Sequence, residues 1–291
     1  MAEYIITTES TTDLSKQLET ELDIKILPLT YNLDGVETED TPSSDNTRIK
    51  EFYNKLRNGS MSSTSQINFQ TFIDEFSKYL KEGKDILHIG FSSGLSGTCS
   101  QAILAAKELK EEFPDRKVIV VDTLAASLGE GMLAYYAAKL RLDGKSIDEV
   151  AQWLEDNKLR QAHWFSVDDL NFLKRGGRVS PAVALVGSLL NIKPIMHVDN
   201  EGHLTKVGTV RGRKASLDEL VKRASLTIEN ANEQTIFICH GDCEQDAQYV
   251  ADKMKQDLGV KDVIIGYTGP VIGSHSGPGT IALFTLGKGR D

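Results

Sequence analysis

The chain has 291 residues, enough for one large or two ordinary domains, and its 40% hydrophobic and 26% charged content is that of an average globular protein. Its 33 basic and 42 acidic residues give a net charge of −9, which argues against a general nucleic-acid-binding protein and against attachment to anionic membranes by charge alone. Three cysteines make no disulfide framework, and no signal peptide is recognised before the first strand, so we expect a cytoplasmic protein.

The first half of the chain alternates between apolar strand patterns and amphipathic helix patterns. Strands are predicted at 4–8, 24–32, 85–91 and 118–122, and helices at 13–22, 49–56, 69–80, 98–112 and 128–142. This alternation predicts a mostly parallel sheet flanked by helices on both faces.

The second half of the chain predicts a second α/β unit with a mixed sheet. Helices are predicted at 146–157, 217–229 and 245–258, strands at 163–167, 235–239, 263–267 and 281–285, and a hairpin at 193–211 that turns near residue 201. The fold class is therefore α/β with two domains, residues 1–160 and 161–291, and a ligand in the cleft between them.

Three polar segments carry the candidate chemistry. Ser62–Gln66 lies between two helices, and Thr64 or Ser65 there can be simply a helix cap. Gly90–Thr98 follows a buried strand and opens a helix, so its backbone N–H groups favour an anion, although a plain glycine-rich connection is the alternative. Ser96 is not in a Gly-x-Ser-x-Gly motif, which leaves a nucleophile elbow unsupported.

The third polar segment is Gly269–Gly279, in which six of eleven residues are Gly or Pro and His275 lies in the middle. The histidine is either a structural residue or a ligand-binding residue. Together the three segments offer hydroxyls, N–H groups and an imidazole, which suit one small anion such as a carboxylate.

Several segments resemble the DegV family of bacterial fatty-acid-binding proteins, which includes the FakB subunits of the fatty acid kinase system. The matching segments run in family order over nearly the whole chain: Thr64–Gln66, Ser92–Thr98, Leu173–Arg178, Ile192–Ile195 and Gly273–Gly279. Two departures are Glu9-Ser10, where the family often has Asp-Ser, and Ile67, where it often has Pro.

The resemblance implies a binding protein without a cofactor, in which a long-chain fatty acid such as palmitate or oleate is buried between the domains. It implies that Thr64 and Ser96 bind the carboxylate, with Ser65, Gly97 and His275 beside them. It further implies delivery of the bound acid to a fatty acid kinase for phospholipid synthesis, with Arg178 in contact with the kinase or with lipid during a transient membrane contact.

An apolar set is predicted to line the acyl tunnel, although ordinary core packing is the alternative for most of its members: Phe69, Phe72, Ile103, Val183, Leu185, Val186, Leu189, Leu190 and Ile192. Burial of about 14 methylenes at about 0.8 kcal/mol each gives roughly 11 kcal/mol before ordering costs. The tail would then supply most of the affinity and the polar head the orientation.

Competing functions remain open from the sequence alone. A serine hydrolase or a phosphoryl-transfer enzyme would use Ser96 and His275, with Asp122 as a possible third member. A sensor of another small anion is a further alternative. The segment Cys239–Cys243 is only a weak indication of metal, because no second ligand pair is evident, so no metal site is predicted.

Overall fold

The computed structural model describes residues 3–185 and 191–290. Within that part the helices are α1 (Lys16–Glu21), α2 (Thr47–Arg57), α3 (Phe69–Lys81), α4 (Thr98–Glu112), α5 (Leu128–Leu142), α6 (Ile147–Asn157), α7 (Leu170–Arg175), α8 (Pro181–Leu185), α9 (Arg213–Thr227), α10 (Glu244–Leu258) and α11 (Pro270–Ser276). The strands are β1 (Tyr4–Glu9), β2 (Ile24–Leu27), β3 (Thr30–Leu33), β4 (Val36–Glu39), β5 (Ser62–Ser65), β6 (Asp85–Gly90), β7 (Val118–Asp122), β8 (Gln161–Ser166), β9 (Ile192–Val198), β10 (Leu204–Arg211), β11 (Thr235–His240), β12 (Asp262–Tyr267) and β13 (Ile281–Leu286).

The first large sheet is parallel, in the order β2-β1-β6-β7. Its central strands are buried on both faces, as expected when helices cover a parallel sheet on each side. Helices α2, α3 and α4 pack on one face, and α5 and α6 pack on the other. The predicted parallel sheet flanked by helices is confirmed.

The second large sheet is mixed, in the order β10-β9-β8-β13-β11-β12, as predicted. Strands β11 and β12 pair in parallel, whereas the other neighbours pair antiparallel. Helices α9 and α10 cover one face of this sheet. Its other face joins α5 and the first sheet in a shared core that includes Ile6, Met132 and Phe284. The division into domains at residue 160 stays a prediction.

Local structure differs from the sequence predictions at several places. The strand predicted at 24–32 is divided by Pro28 into β2, in the parallel sheet, and β3, in a small sheet of order β4-β3-β5. Asn68 caps α3 by accepting from Thr71 N at 3.0 Å, so the alternative in which Thr64 or Ser65 is simply the cap of this helix does not hold. Across the described residues, each helix is too short or too polar to span a lipid bilayer.

Candidate functional site

Thr64 lies on β5, next to α11. It pairs with Tyr31 of β3, and because side chains alternate along a strand, Ser65 points to the opposite side. Thr64 is half-buried, whereas Ser65 is exposed. Of these two predicted site residues, only Thr64 faces the protein interior.

His275 lies near the end of α11, within the glycine- and proline-rich segment for which the sequence predicted no helix. Its Nε2 is 2.8 Å from Oγ1 of Thr64, a residue 211 positions away in the chain. Burial, with a smaller contribution from the positive charge of Arg178, lowers the pKa of His275 to about 4. The imidazole is therefore neutral near pH 7, with one ring nitrogen protonated.

Ser96 lies in the loop between β6 and α4, which the β9–β10 turn holds in place. Ser92 at the start of this loop donates its hydroxyl to Gly202 O at 2.9 Å. The hydroxyls of Ser96 and Thr98 are 3.0 Å apart, and Thr98 N donates to Ser96 Oγ at 3.3 Å. Gly97 is exposed, and a Cβ there would lie 2.6 Å from Gln66 Oε1, so glycine permits the close approach of the two loops.

Arg178 connects the loop of Ser96 with the segment beside His275. Its Nε donates to Leu95 O at 3.2 Å, and its Nη1 donates to Gly176 O. The side chain is half-buried, and burial lowers its pKa from the ordinary value. The guanidinium therefore brings positive charge into the site instead of extending freely from the surface.

These side chains meet at one central cavity. We call Thr64, Ser96, Arg178 and His275 the head cluster. The cavity holds about 810 Å³ free of protein atoms, a volume that includes its opening to solvent. Much of its remaining wall is apolar: Leu29, Phe91, Leu95, Phe165, Leu173, Val198, Leu204, Val271, Ile272, Ala282 and Phe284. Ser65 and Gly97 are not part of the wall.

An outer groove lies on the other side of the head cluster. Thr64, Arg178 and His275 line both the groove and the central cavity. The groove is otherwise lined by Met61, Ser62, Ser63, Phe172, Arg175, Gly176 and Ser274. A small anion bound by the head cluster would therefore lie close to a surface that another molecule can reach.

The predicted tunnel residues do not line this cavity where the structure describes their side chains. Phe72 is fully buried against Phe76 and His88 in the core beneath α3, and Ile103 is 48% exposed on α4. Val186, Leu189 and Leu190 lie outside the described residues, as does the side chain of Leu185. The wall comes instead from inward-facing positions of β8 and β13, such as Phe165 and Ala282.

The geometry does not form a hydrolase triad. The imidazole of His275 bonds to Thr64, and the hydroxyl of Ser96 bonds to Thr98. Asp122 accepts from the backbone N–H groups of Ser93 and Leu124. No base is therefore positioned on Ser96 by the contacts of the described residues.

The cysteine segment has an internal role. Cys239 Sγ lies 3.2 Å from Ser127 Oγ in the cavity wall, and Cys243 Sγ lies 3.3 Å from Thr280 O. Burial raises the pKa of Cys239 to about 11 and that of Cys243 to about 12, so both remain thiols near pH 7.

Two buried carboxyl groups hold the start of α11, the helix that carries His275. Asp13 Oδ1 accepts from Gly269 N at 2.8 Å, and Asp40 Oδ2 accepts from Val271 N at 3.1 Å. Burial raises the pKa of Asp13 well above its ordinary value. Burial also raises the pKa of Asp40 to about 6, against the opposing effects of the Val271 N–H group and then Arg48.

We expect the wild type to lose stability relative to Asp40→Asn as pH rises from about 4 to about 7. A carboxyl group whose pKa is raised by folding stabilises the native state fully below its unfolded pKa of 3.8, and this contribution is lost as pH rises through about 6. A rise of about two units in the pKa of Asp40 corresponds to a change of about 3 kcal/mol in the free energy of unfolding. Urea unfolding of both proteins across this pH range measures the difference, and a constant difference would contradict the prediction.

Comparison with known proteins gives consistent matches along the whole chain. The family model described as "Uncharacterised protein, DegV family" matches residues 4–288. A DegV domain-containing protein of Clostridium perfringens is 47% identical over 291 residues, which are 100% of both chains. A solved DegV family structure from Thermus thermophilus, described by its fatty acid binding, is 33% identical with a TM-score of 0.87, covering 98% of this chain and 100% of that chain. The solved structure of a DegV lipid-binding protein from Thermotoga maritima is 30% identical with a TM-score of 0.86. The match covers 99% of this chain and 100% of that chain.

Proposed function

This chain belongs to the DegV family, and we propose that it binds a long-chain fatty acid, such as palmitate or oleate, in the central cavity. One observation carries the proposal: a group of hydrogen-bond donors and one guanidinium lie together in the wall of a cavity that is otherwise largely apolar. Such a cavity matches a molecule with one anionic end and a long hydrocarbon tail.

In this proposal the carboxylate binds to the head cluster. Thr64 has one hydroxyl proton, so it can donate to the carboxylate only if His275 donates its Nε2 proton to Thr64 Oγ1. The neutral imidazole suits this role as a donor to Thr64. Ser96 donates a second hydrogen bond, and the guanidinium of Arg178 offsets the negative charge. We assign no carboxylate contact to Ser65 or Gly97, since neither belongs to the cavity wall.

We further propose that the protein presents the bound carboxylate to a fatty acid kinase. The kinase would transfer the γ-phosphoryl group of ATP to a carboxylate oxygen, giving an acyl phosphate and ADP. The outer groove supports this proposal because it reaches three residues of the head cluster from outside. Arg175 on its rim lies 4.5 Å from the centre of the Phe172 ring and offers positive charge to a partner or, transiently, to anionic lipid. The FakB-like role and a cytoplasmic location stay predictions.

The binding proposal is tested by native mass spectrometry of the protein purified from bacteria. We expect one non-covalent long-chain acid per chain, lost on delipidation and regained when palmitate or oleate is added. An unliganded protein that also fails to take up added acid would overturn the proposal. Hydroxylamine trapping of acyl phosphate, with the kinase and ATP present, tests presentation separately.

Gly176→Ala is expected to weaken fatty-acid binding several-fold through His275. Gly176 has a φ of −71°, which alanine accepts, but its Cβ would overlap His275 Nδ1 and push the ring away from Thr64. Gly177→Ala is the matched control, because its φ of +74° strains the backbone while no atom lies within 4 Å of the new Cβ. Equal loss of palmitate affinity in both variants, measured by fluorescent-ligand displacement, would contradict the prediction.

A further inference from the structure

A second polar group lines the cavity, away from the residues that would hold a carboxylate. It consists of Thr11, Ser127, His163 and Cys239, which we call the floor cluster. Each of these residues is at most 5% exposed. An unsubstituted hydrocarbon tail cannot form hydrogen bonds with polar atoms there. Burying those polar atoms against methylenes is therefore unfavourable.

The floor cluster converges on the first turn of α5. Ser127 immediately precedes this helix, and Thr11 donates to Glu130 Oε2 at 2.8 Å. A Cβ on Gly129, in the same turn, would lie 3.3 Å from His163 Cε1. Three hydroxyl or imidazole groups from different parts of the chain therefore meet at one end of one helix.

The hydrogen bonds of His163 leave it with an open acceptor. Gln161 donates its Nε2 to Gly129 O at 2.7 Å, so its Oε1 faces His163 Nε2, also at 2.7 Å. His163 Nε2 must then carry the proton, and Nδ1 carries a lone pair. Among the described residues, this buried Nδ1 has no hydrogen-bond partner. Burial, followed by the charges of Arg290 and His197, lowers the pKa of His163 well below its ordinary value, which agrees with a neutral ring.

The hydroxyls of Thr11 and Ser127 each have a buried carboxyl partner, and burial raises the pKa of both partners, Glu130 and Asp13. Thr11 donates to Glu130, and Ser127 donates to Asp13 Oδ2, so each oxygen keeps lone pairs for another donor. If the carboxyl partner is itself protonated, the direction of the bond reverses and the hydroxyl becomes a donor. A ligand hydroxyl, which both donates and accepts, matches His163 Nδ1 and these oxygens in either case.

The register of β13 separates His163 of the floor cluster from the head cluster, whereas Cys239 pairs with Ala282, only two residues beyond Thr280. Thr280, before β13, donates to Ser276 O on α11 at 3.0 Å, which places it beside His275. Phe284 pairs with His163, four residues further along the same chain. Four residues of extended strand span about 13 Å, which corresponds to the middle of a long acyl chain.

We propose that the cavity accepts a long-chain fatty acid with a hydroxyl group near the middle of its chain, and that the floor cluster binds this hydroxyl. The inference depends on the proposed function, since the carboxylate must be held by the head cluster. The ligand class is the mid-chain hydroxy acids, and the ligand hydroxyl would donate a hydrogen bond to His163 Nδ1.

The test compares the affinities of octadecanoic acid with its 2-, 9-, 10-, 12- and 18-hydroxy derivatives, by displacement of a fluorescent fatty acid. We expect at least one mid-chain isomer to bind wild type about three- to tenfold more tightly than octadecanoic acid, as one added hydrogen bond allows. The 2- and 18-hydroxy isomers should bind no better than octadecanoic acid, because their hydroxyls lie far from the floor cluster.

His163→Phe keeps an aromatic ring and removes the acceptor. We expect the affinity ratio of the mid-chain hydroxy acid to octadecanoic acid to fall below one in this variant, whatever happens to absolute affinity. If the variant does not fold, the affinities of wild type for the hydroxy acids with different hydroxyl positions test the inference by themselves. Wild type that prefers octadecanoic acid over every mid-chain isomer would overturn the inference, whereas failure of all the acids to bind would overturn the proposed function itself.

Discussion

Thr64→Val is expected to weaken binding of a long-chain carboxylate by about 1.5–3 kcal/mol, or roughly tenfold to a hundredfold. Valine preserves the shape and β-branching of threonine on β5 but removes the hydroxyl that lies 2.8 Å from His275 Nε2. The loss should be specific to the charged head. The alcohol of the same chain length should lose much less affinity, because hydrogen bonds to an ionised group are the stronger ones.

Ser65→Ala is the matched control for this prediction. Ser65 is the next residue on β5, but it is exposed on the opposite side of the strand and lies outside the cavity wall. Isothermal titration with palmitate and hexadecanol should therefore show no change in this variant. If Thr64→Val and Ser65→Ala behave alike, or if Thr64→Val weakens acid and alcohol equally, the carboxylate does not bind at Thr64.

Ala282→Phe is expected to abolish binding of long acyl chains while leaving binding of a short acid largely intact. Ala282 lines the cavity from β13, opposite Phe165 of β8 and beyond Thr280 as seen from His275. A phenyl ring there fills the path of the tail. Each buried methylene contributes about 0.8 kcal/mol, so excluding only five of them lowers affinity by about 4 kcal/mol, or about a thousandfold.

Ile103→Phe is the control for the blocked cavity. It adds the same side chain at a residue that the sequence predicted to line the tunnel, but that is 48% exposed on α4. Displacement assays with palmitate and hexanoic acid should separate the two variants, and thermal unfolding checks that Ala282→Phe is folded despite the overpacking. Undiminished palmitate binding by Ala282→Phe would place the acyl chain elsewhere.

The local pattern of apolar and polar residues predicted most of the helices and strands, and also the α/β fold class. The helices at 98–112 and 128–142 have the predicted limits, and the parallel and mixed sheets follow from the order of strands and helices. The exceptions have local causes. Pro28 divides one predicted strand between two sheets, and α11 forms in a segment rich in Gly and Pro because Asp13 and Asp40, far away in the chain, bind its first N–H groups.

The sequence by itself determined the α/β class, the DegV resemblance and the three polar segments that contain Thr64, Ser96 and His275. Only the tertiary structure decided that His275 bonds to Thr64 and not to Ser96, that Ser65 faces solvent, and that Arg178 turns inward. It also placed the cavity wall on β8 and β13. The physical reason is that periodicity and composition indicate which residues are buried, whereas the partner of a buried side chain depends on strand register and on contacts between residues hundreds of positions apart.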